Sequence, residues 1–236
     1  VKTDGTLWAM GLNSSGQLGD TTTTSPTTPV QVESGVASVA AGNSHTLFVK
    51  TDGTLWAMGL NSSGQLGDTT TTNRSLPLQV ATGVASVAAR ASHTLFVKTD
   101  GTLWATGLNS SGQLCDGTTT NRSTPVQVAT GVASAAAGSN YTFFAKTDGT
   151  RWVAGATGNG QLGDGKTIFR NAFAPVASGV SSVAAGGFST LFVKTDGALW
   201  ATGQNTSGQL GDGTTSNRST AGPVATGVAS AAVGSS

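Results

Sequence analysis

A 48-residue period runs the length of the chain. Val-Lys-Thr-Asp-Gly at Val1 recurs at Val49 and Val97, as Ala-Lys-Thr-Asp-Gly at Ala145, and again at Val193. Residues 1–20 and 49–68 are identical, and the fourth copy has drifted furthest, reading TRWVAGATGNGQLGDG from Thr150. Self-similarity at this period is the signature of a repeat architecture, in which each unit buries its apolar face against its neighbours. The copies are 1–48, 49–96, 97–144, 145–192 and 193–236, read together as one domain over 1–236.

Within one copy the texture is β. SHTLFVK (44–50) and TLWAMG (54–59) are short, apolar and rich in β-branched or aromatic residues, which suits a pleated, half-buried surface. Asp52-Gly53 between them is a tight-hairpin signal, because both residues tolerate positive φ. VASVAA (36–41) supplies a third strand and PVQV (29–32) a fourth, its leading Pro marking a strand start or an edge. No stretch carries a helical apolar stripe of useful length. Four short strands per 48 residues predict an all-β propeller of four-stranded blades. The last copy stops four residues short of a full period. Both a five-bladed ring with a shortened closing strand and an arc of a larger, seven-bladed ring fit, and a start without Met inside a strand favours a fragment.

Composition narrows the function. Charged residues make up 10% of the chain and the formal net charge is +1, which argues against a nucleic-acid surface. No apolar run reaches the ~20 residues of a membrane span. Two His (His45, His93), one Glu (Glu33), one Cys (Cys115) and one Tyr (Tyr141) are a thin stock for acid–base or nucleophilic chemistry. No enzyme, cofactor or metal is expected. Ten of the eleven acids fall at two repeat positions, Asp4 and Asp20 with their equivalents, where turn and loop hydrogen bonding accounts for them.

The repeat reads Trp-Ala-x-Gly-x-Asn-x-x-Gly-Gln-Leu-Gly-Asp, then Thr-Thr-Thr-Asn-Arg-Ser-x-Pro-Val-Gln-Val, then Gly-Val-x-Ser-Val-Ala-Ala-Gly-x-x-His-Thr-Leu, most clearly over 101–138. It resembles the regulator-of-chromosome-condensation repeat in its bacterial form, and the resemblance covers the whole chain. It implies a β-propeller that works by protein–protein contact, as an inhibitor, an adhesin or an exchange factor for a small GTPase. The implied setting is extracellular or on a bacterial cell surface. One departure concerns the large aromatic that the family places before the first Gly: here the slot holds Met10, Met58, Thr106, Ala154 and Thr202, so closer packing must fill the volume.

Binding residues are sought where copies differ or where a loop charge repeats. Arg74, Arg122 and Arg218, with Arg170 in the divergent copy, would project once per blade, and Arg is enriched at interface hot spots; solvated loop charges are the plain alternative. Arg90 stands where four copies have Gly. Phe169 and Phe173 set the divergent loop 166–173 apart from the other copies, either as exposed partner contacts or as packing against the shifted Pro175. A protein partner is expected. Carbohydrate stacking on Trp8, Trp56, Trp104, Trp152 and Trp200 competes with packing of those rings between blades. His45 and His93 are read as hydrogen-bonded within a blade, and Cys115 as an incidental substitution of Gly.

Overall fold

The computed structural model describes residues 1–234, and among them there is no helix. The strands are β1 (Leu7–Ala9), β2 (Val30–Glu33), β3 (Val36–Ala41), β4 (His45–Lys50), β5 (Leu55–Gly59), β6 (Arg74–Ala81), β7 (Val84–Arg90), β8 (His93–Lys98) and β9 (Leu103–Gly107). They continue as β10 (Arg122–Ala129), β11 (Val132–Ala137), β12 (Tyr141–Lys146), β13 (Arg151–Gly155), β14 (Arg170–Ala177), β15 (Val180–Ala185), β16 (Ser189–Lys194), β17 (Leu199–Gly203) and β18 (Arg218–Ala225). They form a two-stranded sheet, β1-β2, and four antiparallel four-stranded sheets, β3-β4-β5-β6, β7-β8-β9-β10, β11-β12-β13-β14 and β15-β16-β17-β18. Each four-stranded sheet starts at the VASVAA-type strand of one sequence copy and ends at the Pro-Val-Gln-Val-type strand of the next.

Two compact units result. One takes Val1–Leu108 with Thr120–Thr130, the other Asn109–Thr119 with Gly131 onward. In the first unit, Leu47, Val49, Leu55 and Ala57 of the β3–β6 sheet form one buried cluster with Val84 and Phe96 of the next sheet, and Val80, Ala81 and Trp104 pack against it. Leu7 and Val32 of the two-stranded sheet join Val36, Phe48, Met58 and Trp56 in a second cluster. In the second unit, Tyr141, Phe143, Val153 and Leu162 are buried with Val176, Val183 and Ala185 against them. Apolar faces thus pack sheet on sheet, as the repeat demands.

The hairpin turn is one residue longer than an Asp-Gly two-residue turn. Gly53 N–H donates to Lys50 O at 2.9 Å and Lys50 N–H to Thr54 O at 2.9 Å, and of the pair only Gly53 has positive φ, 79°. This is the three-residue loop with a bulged glycine. Asp52 Oδ1 accepts from Thr54 N–H at 2.9 Å and Thr54 Oγ1–H at 2.7 Å, and Thr54 Oγ1 accepts from Trp56 Nε1–H at 2.9 Å. The motif Lys-Thr-Asp-Gly-Thr-Leu-Trp is therefore one continuous hydrogen-bonded turn.

At Met58, Thr106 and Thr202 the slot vacated by the family aromatic receives the loop of the preceding copy, whereas Met10 in the first copy is exposed. Met58 is fully buried and its sulfur lies against Gly19. Thr106 Oγ1 bonds Gly64 O at 2.9 Å and Arg122 O at 2.6 Å, and Thr202 Oγ1 bonds Gly160 O and Arg218 O, each at 2.8 Å. Small or flexible side chains at this position let two backbones meet closely.

Candidate functional site: a clasped loop with exposed apolar residues

Each Gly-Gln-Leu-Gly-Asp segment builds the base of a loop. Asn61 Oδ1 accepts from Leu66 N–H at 3.0 Å, its amide donates to Asp68 Oδ1 at 2.8 Å, and Gln65 Oε1 accepts from Ser63 N–H at 2.9 Å. Asp68 then accepts from Thr70 N–H at 3.0 Å and Thr70 Oγ1–H at 2.8 Å, and from the Arg74 guanidinium at 2.7 Å. Burial pushes the Asp68 carboxyl up, but the bonds from Thr70, Arg74 and Asn61 outweigh it and hold the group below the usual carboxylate range. The loop thereby closes on a buried acid, with the arginine as its clasp.

Arg74, Arg122, Arg170 and Arg218 each begin the outer strand of a blade. In the first unit, Arg74 pairs with Asp68, its side chain 37% exposed, while the backbone carbonyl of Arg122 receives Thr106. In the second unit, Arg170 pairs with Asp164 and Arg218 with Asp212, their side chains 26% and 30% exposed. Arg90 ends β7 opposite His93 and is partly buried. The first copy has Pro26 where the others have arginine, and its outer strand β2 starts only at Val30.

Phe169 and Phe173 part company. Phe173 lies in β14 and meets Phe144 edge-on, ring centroids 4.5 Å apart, so it packs in the blade. Phe169 is 51% exposed and its neighbour Ile168 72%. The loop that carries them departs from the repeat chemistry. Lys166, Ile168 and Phe169 stand where the preceding copy has Thr118, Thr120 and Asn121, and Thr157 replaces the Asn61-type residue. Thr157 Oγ1 donates to Lys166 O at 3.2 Å, while Asp164 accepts from Lys166 N–H and holds Arg170. The clasp is kept while the loop crest turns apolar and basic. Ile168 was not among the residues picked from the sequence, although the same alignment of copies exposes it.

The remaining candidates take structural places. The tryptophan rings are part-buried; the Lys50, Lys98 and Lys146 ammonium groups lie 4.7, 4.8 and 4.9 Å from the centroids of Trp56, Trp104 and Trp152, and Phe48, Phe96 and Phe144 stack beside them. His45 bridges two sheets instead of staying within its own blade. Its Nε2 lies 3.1 Å from Thr94 Oγ1, and Thr94 Oγ1–H donates to Gln65 O at 2.7 Å, so the His45 Nε2 position carries the proton. Cys115 is buried, and burial, with the Asp116 charge beside it, pushes its thiol up, the reverse of a reactive cysteine. Among the described residues no three His, Cys, Asp or Glu side chains converge as a metal site.

A family model described as an RCC1-like domain matches residues 1–236. Human WBSCR16 superposes with a TM-score of 0.86 at 23% identity, covering 98% of this chain and 66% of that one. Prp20p from Saccharomyces cerevisiae, from a study of its binding to Gsp1p and histones, gives 0.84 at 19% identity over 99% of this chain and 63% of that one. Yeast RCC1 (Prp20) solved with Kap60 bound gives 0.86 at 19% identity, over 100% and 63%. The chain spans a little under two thirds of each of these structures. No curated protein matches it. The fold class is all-β, a β-propeller built from four-stranded blades.

Proposed function

The chain belongs to the RCC1-like domain family, and on that premise we propose that it is a non-enzymatic scaffold for protein–protein contact, with loop 164–170 as its contact element. The carrying observation is the exposure of Ile168 and Phe169, at 72% and 51%, side by side on a loop whose base is pinned by Asp164 and Arg170. Large apolar side chains held in water by a rigid base suit a partner interface, and pre-ordering the loop lowers the entropic cost of docking. Lys166 adds a positive charge beside them. Arg170 and Arg218 of this unit keep the role of flanking contacts, with Phe173 bracing the strand beneath; Arg74, Arg122 and Arg90 are proposed contacts of the other unit in its own right.

The test restores the residues of the preceding copy. Ile168→Thr with Phe169→Asn rebuilds its polar crest without touching the clasp. Partner proteins captured by the unaltered chain should be lost by the double variant, with affinity down by about 2 kcal/mol or more and an unchanged thermal melt. Equal capture by both proteins sinks the assignment. An exchange-factor reading draws support from the likeness to Prp20p; acceleration of nucleotide release from a small GTPase would favour it. Binding to a glycan array would favour carbohydrate instead.

A further inference from the structure

We propose that the cleft between the β3–β6 and β7–β10 sheets is a carboxylate site, fitted to an acid group carried on an apolar stem. It stands apart from loop 164–170 and does not depend on that loop's function. The first clue lies one period earlier. In the cleft between the β1-β2 sheet and the β3–β6 sheet, the Glu33 carboxylate reaches across to Lys50 Nζ at 3.2 Å, with both side chains about a quarter exposed, and Lys50 lies over Trp56. The chain thus builds a lysine–tryptophan corner and fills it with a glutamate of its own.

Forty-eight residues on, the corner is rebuilt and left unfilled. Lys98 takes the place of Lys50 and Trp104 that of Trp56, with Nζ 4.8 Å from the ring centroid. The position of Glu33 is held by Ala81. Here the structure has a cavity of about 420 Å³ whose walls include Gln79, Ala81, Phe96, Lys98, Trp104 and Pro125. That volume falls in the range of small-ligand clefts, about 300–1,000 Å³. Phe96, Trp104 and Pro125 offer apolar contact, Gln79 a polar rim, and Lys98 the cation that its counterpart uses on a carboxylate. A charge-assisted bond from a partly sheltered ammonium favours an anion, and the apolar walls favour one with a methylene stem, as glutamate has.

Two probes separate the sources of such a group: the blocked peptide Ac-Val-Gln-Val-Glu-Ser-Gly-NH2, which copies residues 30–35, and glutarate alone. The readout is the Trp104 indole N–H resonance. The expected result is a saturable shift that weakens at least tenfold when Gln replaces Glu in the peptide, and likewise in Lys98→Met. Ala81→Glu, which supplies the carboxylate from the chain itself, should block both probes while the protein keeps its native spectrum. Tighter binding of the peptide assigns the site to a side chain of another protein, and equal or tighter binding of glutarate to a free acid; either supports a carboxylate site. No saturation by either probe up to tens of millimolar, equal shifts from the Glu and Gln peptides, or intact binding in Lys98→Met overturns it.

Discussion

Thr69 has a φ of 69° and Cys115 one of 61°, in the left-handed region where an L side chain costs roughly 1–2 kcal/mol. The repeat shows what each place favours. Copies three to five put Gly117, Gly165 and Gly213 at the Thr69 position, and the other four copies put Gly at the Cys115 position. Thr69→Gly and Cys115→Gly should each raise stability by about 1 kcal/mol, read as a higher urea midpoint at constant slope. A lower midpoint for either would mean that its side chain contributes packing beyond the strain. The Cys115 position is visible by aligning the copies. The Thr69 strain is harder to read, since two copies carry Thr there and nothing in composition marks it as the odd choice.

At the scale of the element, what joins one blade to the next is the Gly-Gln-Leu-Gly turn seated against the following outer strand. A Cβ on Gly64 would stand 2.5 Å from Ser123 Cα and 2.7 Å from Arg122 O, at a φ of +81°. Gly64→Ala should therefore cost about 3 kcal/mol, summing the conformational term and the backbone clash. Gly117→Ala, at a φ of +79° with nothing within 4 Å, carries only the first term and should cost about 1 kcal/mol. Equal losses in chemical denaturation would show that the close approach at Gly64 is unimportant. The strands themselves were legible, because alternation and Asp-Gly punctuation are local. Their assembly was less so. Outer strands such as β6 extend back to Arg74, well before the PVQV-type segment, because the Arg74–Asp68 ion pair holds backbone that propensity alone leaves as loop. The Glu33–Lys50 pair also escaped the sequence reading, although Glu33 is the one glutamate of the chain. Contact between residues 17 apart on different sheets depends on how the sheets meet, which no local pattern reports.

Taken whole, the molecule answers acid through two sets of groups that titrate in different windows. His45 is buried and neutral, and desolvation brings its pKa from 6.5 to about 4. Unfolded chains therefore take up this proton first: stability is flat above about pH 6.5, falls as pH drops toward 4, and loses about 3 kcal/mol from this group across the window. The aspartates act lower. Hydrogen bonds from Thr54 hold Asp52 below its ordinary value, and Asp4, Asp100 and Asp148 repeat the arrangement with Thr6, Thr102 and Thr150. Asp20, Asp68 and Asp212 are held down in the loops. A carboxylate whose folded pKa is depressed adds stability above about pH 3.8, and that stability is lost as pH falls through the folded value. Because the same bonded aspartate is copied along the chain, this second loss should be steep, drawing on many turns and loops together. His45→Ser, which installs the residue found at Ser189 in the fourth copy, should flatten the decline between pH 6.5 and 4 by the share of His45 and leave the steep limb below pH 4 in place. Urea midpoints measured from pH 8 to pH 3 on both proteins decide the matter. An unchanged slope between 6.5 and 4 in His45→Ser would show that His45 is not the group protonated on unfolding, and that the bridge to Thr94 tolerates a charged imidazole.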